Sequence, residues 1–317
     1  MSRITIIGTG YIGTSIGLAL KARKVDVEIV GHDRDLNRAS EARKRGAVDR
    51  AEWNLPAALE RASLVVVATP FAAMEKLFSQ MAEFLEPDCV VTDTASLKGP
   101  VLEWASQAFA GRASFVGGHP IVDVNGREAA PSATLFQDRS YCVMAASNAA
   151  ERAVDQVVRF IQTIGAKPMF IDSMEHDSHI AATELLPRLL AVALMRAVGA
   201  SPSWRDGSRL AGPDFATLTL SSLIDPTEQS TQFRSNREAL QHWLVEFQDE
   251  LSDLVAALDD SEQFLAALSA AQEFRAALQV GADPVGDHST SVEIPRGREQ
   301  LSSWFLGGLA GRRRPKE

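Results

Sequence analysis

Long hydrophobic runs are missing from this 317-residue chain. No apolar stretch reaches the roughly 18–20 residues that cross a bilayer as a helix, so no membrane partner is expected. Cysteine is nearly absent as well: Cys89 and Cys142 stand alone, each inside an apolar run. They make no C-x-x-C and no metal-ligand spacing, which excludes a disulfide framework and a cysteine-based metal site and points to buried free thiols in a reducing compartment. Positive charge is in deficit, with 32 Lys and Arg against 41 Asp and Glu and a net charge of −9. That balance excludes nonspecific nucleic-acid binding through the surface as a whole. The first strand-like run begins at Arg3, so no signal peptide is expected and a cytoplasmic location follows.

What is present begins at that run. Ile4 to Ile7 leads into Gly8-Thr9-Gly10-Tyr11-Ile12-Gly13. This is G-x-G-x-x-G after a strand and at the mouth of a helix, the one context in which it carries meaning. Gly8 permits a tight turn, Gly10 removes the Cβ that would block a pyrophosphate, and Gly13 lets helix and strand pack closely. The helix N-terminus beginning at Tyr11 and Ile12 then offers free N–H groups to phosphates. A second strand ends near Asp33, twenty positions after Gly13, where a carboxylate suits the ribose 2′-OH of NAD and repels the 2′-phosphate of NADP. Arg34 beside it complicates this, because an arginine there can meet a 2′-phosphate; NAD remains the expected cofactor.

Residues 1–172 alternate strand and helix, which implies an α/β fold of Rossmann type, a doubly wound, mostly parallel sheet. Ligands of such sheets sit beyond the C-terminal strand ends. That gathers Thr69 and Pro70, Asp93 to Lys98 and Gly117 to Pro120 around the glycine turn, with Thr69 and Pro70 on the cofactor. After Asp172 strand signals stop. Residues 173–280 read as an all-helical domain with helices over Glu175–Val198, bent at Pro187, then Thr227–Leu258 and Ser261–Val280. Leu240, Trp243, Leu244, Phe247, Leu251, Leu254, Val255 and Leu258 recur at three- and four-residue steps. So long an apolar stripe suits a dimer interface, and a buried intramolecular helix fits it nearly as well. Residues 281–317 read as a flexible tail with a basic end.

Three short segments carry chemistry. In Gly117-Gly118-His119-Pro120 a histidine sits at a strand's C-terminal end, and its near-neutral pKa suits a general base. In Asp93-Thr94-Ala95-Ser96-Leu97-Lys98, Ser96 is placed either to cap the next helix or to bond substrate and His119; Lys98 reads as a helix-surface charge. Arg209, in Ser208-Arg209-Leu210-Ala211-Gly212-Pro213-Asp214, is a surface charge or a bidentate clamp for a carboxylate. No metal site is expected.

Taken in order, the glycine motif, D-x-x-S-x-K, G-G-H-P, the His176-Asp177 pair and the Arg209 segment resemble the prephenate/arogenate dehydrogenase family over roughly residues 3–280. The resemblance implies a Rossmann domain, a helical dimerisation domain and a homodimer. It also implies NAD-dependent oxidative decarboxylation of a cyclohexadienyl acid in tyrosine biosynthesis. His119 would take the ring hydroxyl proton, Ser96 would orient His119, and Arg209 would hold a substrate carboxylate. Two departures stand out. Asp123 replaces a family glycine after His-Pro. The family's Ser-His-Leu-Pro-His run is here Glu184-Leu185-Leu186-Pro187-Arg188. Both histidines are gone, Arg188 is placed to take over, and Glu184 would disfavour a dianion and favour an ammonium-bearing substrate such as arogenate. Two other readings compete. One is a dehydrogenase acting on a related carboxylate; the β-hydroxyacid dehydrogenases need a lysine on the first helix of the second domain, whereas Lys167 precedes that helix. The other is a non-catalytic NAD-binding regulatory paralogue.

Overall fold

The computed structural model describes residues 3–122, 130–145 and 149–280. Eight strands form one sheet: β1 (Arg3–Ile7), β2 (Glu28–His32), β3 (Arg50–Ala51), β4 (Leu64–Val67), β5 (Val90–Asp93), β6 (Ser114–Pro120), β7 (Ser140–Ala145) and β8 (Lys167–Phe170). Their order is β3-β2-β1-β4-β5-β6-β7-β8. Every pairing is parallel except β6 with β7.

The central strand β4, Leu-Val-Val-Val, is an unbroken apolar run because both faces of the sheet are covered. Successive side chains alternate faces, so Ile6 and Val66 join one core while Ile7, Val65 and Val67 join the other. The first core is completed by Ile16 and Leu20 of α1 (Tyr11–Ala22) and by Val157, Phe160 and Ile161 of α6 (Glu151–Thr163). On the opposite face lie Phe78 and Met81 of α4 (Met74–Met81) and Val101 and Phe109 of α5 (Gly99–Phe109). Helices α2 (Leu36–Lys44) and α3 (Leu55–Leu59) fill the β2–β4 connections.

Strand β6 runs on through Gly117, Gly118 and His119 to Pro120. His119 is therefore a strand residue, paired with Cys142 of β7. The two glycines make this possible. A Cβ on Gly118 would stand 2.7 Å from the Asp93 carbonyl oxygen and 2.8 Å from a Tyr141 ring carbon.

Beyond the sheet, α7 (Ser173–Ile180) and α8 (Leu186–Gly199) are joined by one π turn, Ala181–Leu185. Pro187 has no N–H to give the carbonyl four residues back, and the wider turn just before it takes up the mismatch that a simple bend was expected to absorb. Short pieces follow, α9 (Trp204–Gly207), a 3₁₀ turn at Ser208–Leu210 and α10 (Pro213–Thr219). The single helix expected over Thr227–Leu258 is two, α11 (Pro226–Ser235) and α12 (Arg237–Ala257). Asn236 breaks them apart, its Nδ2 donating to the Asp177 carbonyl at 2.7 Å. The last described helix is α13 (Ser261–Val280).

The chain forms two compact units, Met1–Leu244 and Val245–Glu317. In the second, Val245, Leu251 and Val255 of α12, Leu258 just after it, and Leu265, Leu268, Phe274 and Leu278 of α13 are exposed.

Candidate functional site

The glycine turn closes the C-terminal end of β1. Gly8 has φ +90°, a conformation that L side chains rarely adopt, and a Cβ on Gly13 would meet the Gly8 carbonyl oxygen at 1.9 Å. Gly10 has nothing within 4 Å of where its Cβ would lie, so open space stands over the turn. Gly10 is also the cap of α1, whose first residues Tyr11 and Ile12 are half-buried. Asp33 is buried and ties the turn down, with one carboxylate oxygen accepting from Thr9 N at 2.8 Å and the other from Asp35 N at 2.9 Å. The first oxygen also accepts from the Thr9 hydroxyl at 3.2 Å, so it is the second, on Asp35, that keeps a lone pair for a ribose hydroxyl. Arg34 is exposed. After β4, Thr69 holds a buried hydroxyl without a partner among the described residues, and Pro70 is exposed beside it. An open cradle, free helix N–H groups and an orphan hydroxyl together fit a dinucleotide.

His119 stands at the same edge of the sheet, 8 % exposed. Its Nδ1 lies 3.0 Å from His176 Nε2, and His176 Nδ1 lies 2.9 Å from Asp177 Oδ1. The Asp177 carboxylate also accepts from the N–H of Lys98, at 2.8 Å, and of Gly99, at 2.8 Å, so it caps α5 from the neighbouring helix. His119 Nε2 has no partner among the described residues. Burial, then the Lys98, His176 and Arg188 neighbours, hold the His119 pKa well below the ordinary histidine value.

Lys98 is fully buried, not the surface charge expected. Its ammonium pairs with Asp93 and donates to the Gly118 carbonyl at 2.8 Å. Asp93 in turn accepts from the Gly118 N–H at 3.0 Å. One ion pair therefore grips both polar groups of the residue preceding His119. A second network lies on the helices. Arg188 bonds Glu184 at 2.6 Å and Gln232 at 2.8 Å, and Gln232 donates to Glu228 at 2.7 Å. Glu228 accepts from the N–H groups of Phe71, at 2.9 Å, and Ala72, at 3.0 Å, in the 3₁₀ turn (Phe71–Ala73) that opens α4 just after Thr69-Pro70.

Two family models match the chain in succession: prephenate dehydrogenase, nucleotide-binding domain, over residues 16–170, and prephenate dehydrogenase, dimerization domain, over residues 172–270. The chain belongs to the prephenate dehydrogenase family. Among its relatives is a prephenate dehydrogenase of Lactococcus lactis, 30% identical over 62% of this chain and 53% of that one. A cyclohexadienyl dehydrogenase of Zymomonas mobilis is 27% identical over 67% of this chain and 76% of that one. The chain spans about half the length of the Lactococcus and Bacillus subtilis relatives, at 53% and 52%. The fold is that of the Aquifex aeolicus prephenate dehydrogenase solved with hydroxyphenyl propionate and NAD+, with a TM-score of 0.78 at 21% identity over 88% of this chain and 98% of that one. Synechocystis arogenate dehydrogenase gives 0.69 at 22% identity, covering 88% of this chain and all of that one. The family thus accounts for a parallel-dominated sheet in a nucleotide-binding domain followed by a helical domain of the dimerization type.

Several expectations for the family site need correction. Ser96 is half-buried and neither caps α5 nor bonds His119 among the described residues; it is His176 that meets His119, at Nδ1. Arg209 lies on the exposed turn Ser208–Leu210 with no hydrogen-bond or ion-pair partner among the described residues, and it is Arg188 whose charge reaches His119. Glu184 is not a bare negative charge, because Arg188 neutralises it. Asp123 and the tail 281–317 lie outside the described residues. Reasoning from sequence placed Asp93 and Lys98 at the cleft without pairing them, missed Gln232 and Glu228, and named His176-Asp177 only as a motif. The Asp and Lys five apart, flanking a short loop before a helix, were the available signal for the first pair; for Gln232 and Glu228 no local signal exists. Among the described residues no three His, Cys, Asp or Glu side chains gather as a metal site, and no helix is long and apolar enough to cross a membrane.

Proposed function

We propose that this chain is an NAD-dependent dehydrogenase that oxidatively decarboxylates a cyclohexadienyl acid, prephenate or arogenate, in tyrosine biosynthesis, with His119 as the base. The observation that carries this reading is a buried imidazole with one nitrogen unengaged among the described residues, at the strand edge that also holds the nucleotide cradle. Its depressed pKa keeps it neutral, as a base must be, at neutral pH. Gly8, Gly10, Gly13, Tyr11, Ile12, Thr69 and Pro70 hold the dinucleotide, and Asp33 takes the ribose. NAD+, when bound, supplies the hydride acceptor. His119 accepts the proton of the ring hydroxyl as the carbon bearing it is oxidised. The ring carboxylate then leaves as CO2, its bonding pair enters the ring to make the aromatic product, and His119 returns the proton to the phenolic oxygen. Ser96 is within the same segment as Lys98 and bonds the substrate.

The corner formed by Glu184 and Arg188 carries one anion and one cation. It matches a zwitterionic amino-acid side chain, whose ammonium would face Glu184 and whose carboxylate would face Arg188. Arogenate is therefore the preferred substrate. Steady-state NAD+ reduction with prephenate and arogenate side by side tests both levels. Turnover of neither compound removes the activity, and a higher kcat/KM on prephenate removes the preference.

The exposed apolar side chains Leu210, Leu218 and Leu223, and those of α12 and α13, support a homodimer through the helical region. Arg209 sits among the first of these and would act on a carboxylate only once that surface is covered. Two buried, unpaired thiols suit a reducing cytoplasm.

A further inference from the structure

His119, His176 and Asp177 form a chain of three groups whose protons can be assigned from one end. Both Asp177 oxygens accept backbone N–H bonds, Oδ1 from Lys98 and Oδ2 from Gly99, so the carboxylate meets His176 as an acceptor. The contact of 2.9 Å with His176 is therefore a donation from His176 Nδ1–H. In the neutral ring that leaves His176 Nε2 as an acceptor. Its partner 3.0 Å away, His119 Nδ1, must then be the donor, and the His119 proton is placed on Nδ1.

We propose that His176 and Asp177 are positioning residues that set the tautomer and orientation of His119, leaving its Nε2 lone pair free for the substrate proton. This rests on the reading of His119 as the base. The same carboxylate caps α5, the helix that follows the Lys98 loop, so the orientation of His119 is tied to the join between α7 and the nucleotide-binding domain. Ring planes at 87° let the His119 N–H enter edge-on toward His176 and resist rotation of either ring. Among the described residues, the charged groups facing His119 are Lys98 ahead of α5, Arg188 on α8 and Asp177 through His176.

Two measurements test this on the full chain. The first is long-range ¹H–¹⁵N NMR of the ¹⁵N-histidine protein near pH 7.5, with His119→Asn and His176→Gln used to assign the signals. The expected spectrum shows both rings protonated at Nδ1 and unprotonated at Nε2. A His119 ring protonated at Nε2, or a doubly protonated His176, overturns the proposal whatever His119 does in catalysis. The second is kinetic. His176→Leu should lower kcat about ten- to a hundredfold, the usual scale for a group that orients a functional histidine, with KM for NAD+ little changed and the acid limb of kcat/KM displaced. His176→Gln, whose side-chain oxygen can accept from His119 Nδ1–H, should recover most of that loss. Equal activity of the Leu variant and the parent overturns the proposal, as does failure of Gln to outperform Leu. Loss of turnover in His119→Asn is a separate result that tests the base itself, and the NMR reading stands if the Leu variant does not fold.

Discussion

His119 shows how much one residue's surroundings change its chemistry. An ordinary histidine is half protonated near pH 6.5, whereas burial and the Lys98, His176 and Arg188 neighbours keep this one neutral to lower pH. Activity should therefore persist below pH 6, where an unperturbed base would be protonated, and a kcat/KM profile checks this. The linkage to stability has a definite sign. Between pH 6.5 and the depressed value, the unfolded chain binds a proton that the folded chain does not, so stability falls as pH drops across that window. His119→Asn should flatten this dependence in urea titrations and lower kcat by about 10²–10⁴, the usual size of a general-base contribution. Lys98 is the structural counterpart. Removing one partner of a buried ion pair leaves an uncompensated charge, so Lys98→Ala should cost about 3–5 kcal/mol in denaturant unfolding. Cys89 and Cys142 are inert by the same environment, burial raising their thiols to about 12 and about 11.

At the scale of elements, two carboxylates from the helical half sit on N-termini in the nucleotide-binding half. Asp177 caps α5, and Glu228 caps the turn that opens α4. Each meets free N–H groups and the positive end of a helix dipole. Glu228→Ala should cost about 1–2 kcal/mol of stability, within the range for lost caps, and release the Gln232 amide that leads to Arg188. Thermal unfolding measures the first effect, and KM for the proposed cyclohexadienyl substrate measures the second. The glycine turn is stricter. With a carbonyl oxygen 1.9 Å from its virtual Cβ, Gly13→Ala must push α1 away from β1 and should abolish dinucleotide binding by calorimetry. Much of this was legible in sequence. The glycine spacing announced the turn, and alternating strand and helix signals announced the sheet. Pro187 and Asn236 were misread because periodicity reports which face is apolar and says nothing of a π turn or of a side chain bonding a carbonyl on another helix.

For the whole molecule, the apolar stripe along α12 divides. Leu240 is buried within the first compact unit, while Leu251, Val255 and Leu258 remain exposed in the second. Exposed leucines and valines at helical spacing cost free energy in water, on the order of 25 cal/mol per Å² of apolar surface, and a second copy would recover it. Val255→Asp with Leu258→Asp should give a monomer by analytical ultracentrifugation. If Arg209 acts only in the assembled state, that monomer should also lose affinity for the substrate carboxylate while still binding NAD+.

The linear chain determined the things that depend on near neighbours: the nucleotide-binding turn, the order of strands and helices, and the presence of a histidine at a strand end. Short-range sterics and periodic burial write those into sequence, where Gly8, Gly13 and His119 can be read directly. Only the tertiary structure decided which groups meet. Lys98 reaches back to Asp93 and across to Gly118, Asp177 closes α5 from 79 residues away, and His176, rather than Ser96, takes the His119 nitrogen. Such contacts arise where buried polar groups must find partners or lose several kcal/mol, and the partner found is set by packing, which spacing along the chain does not encode.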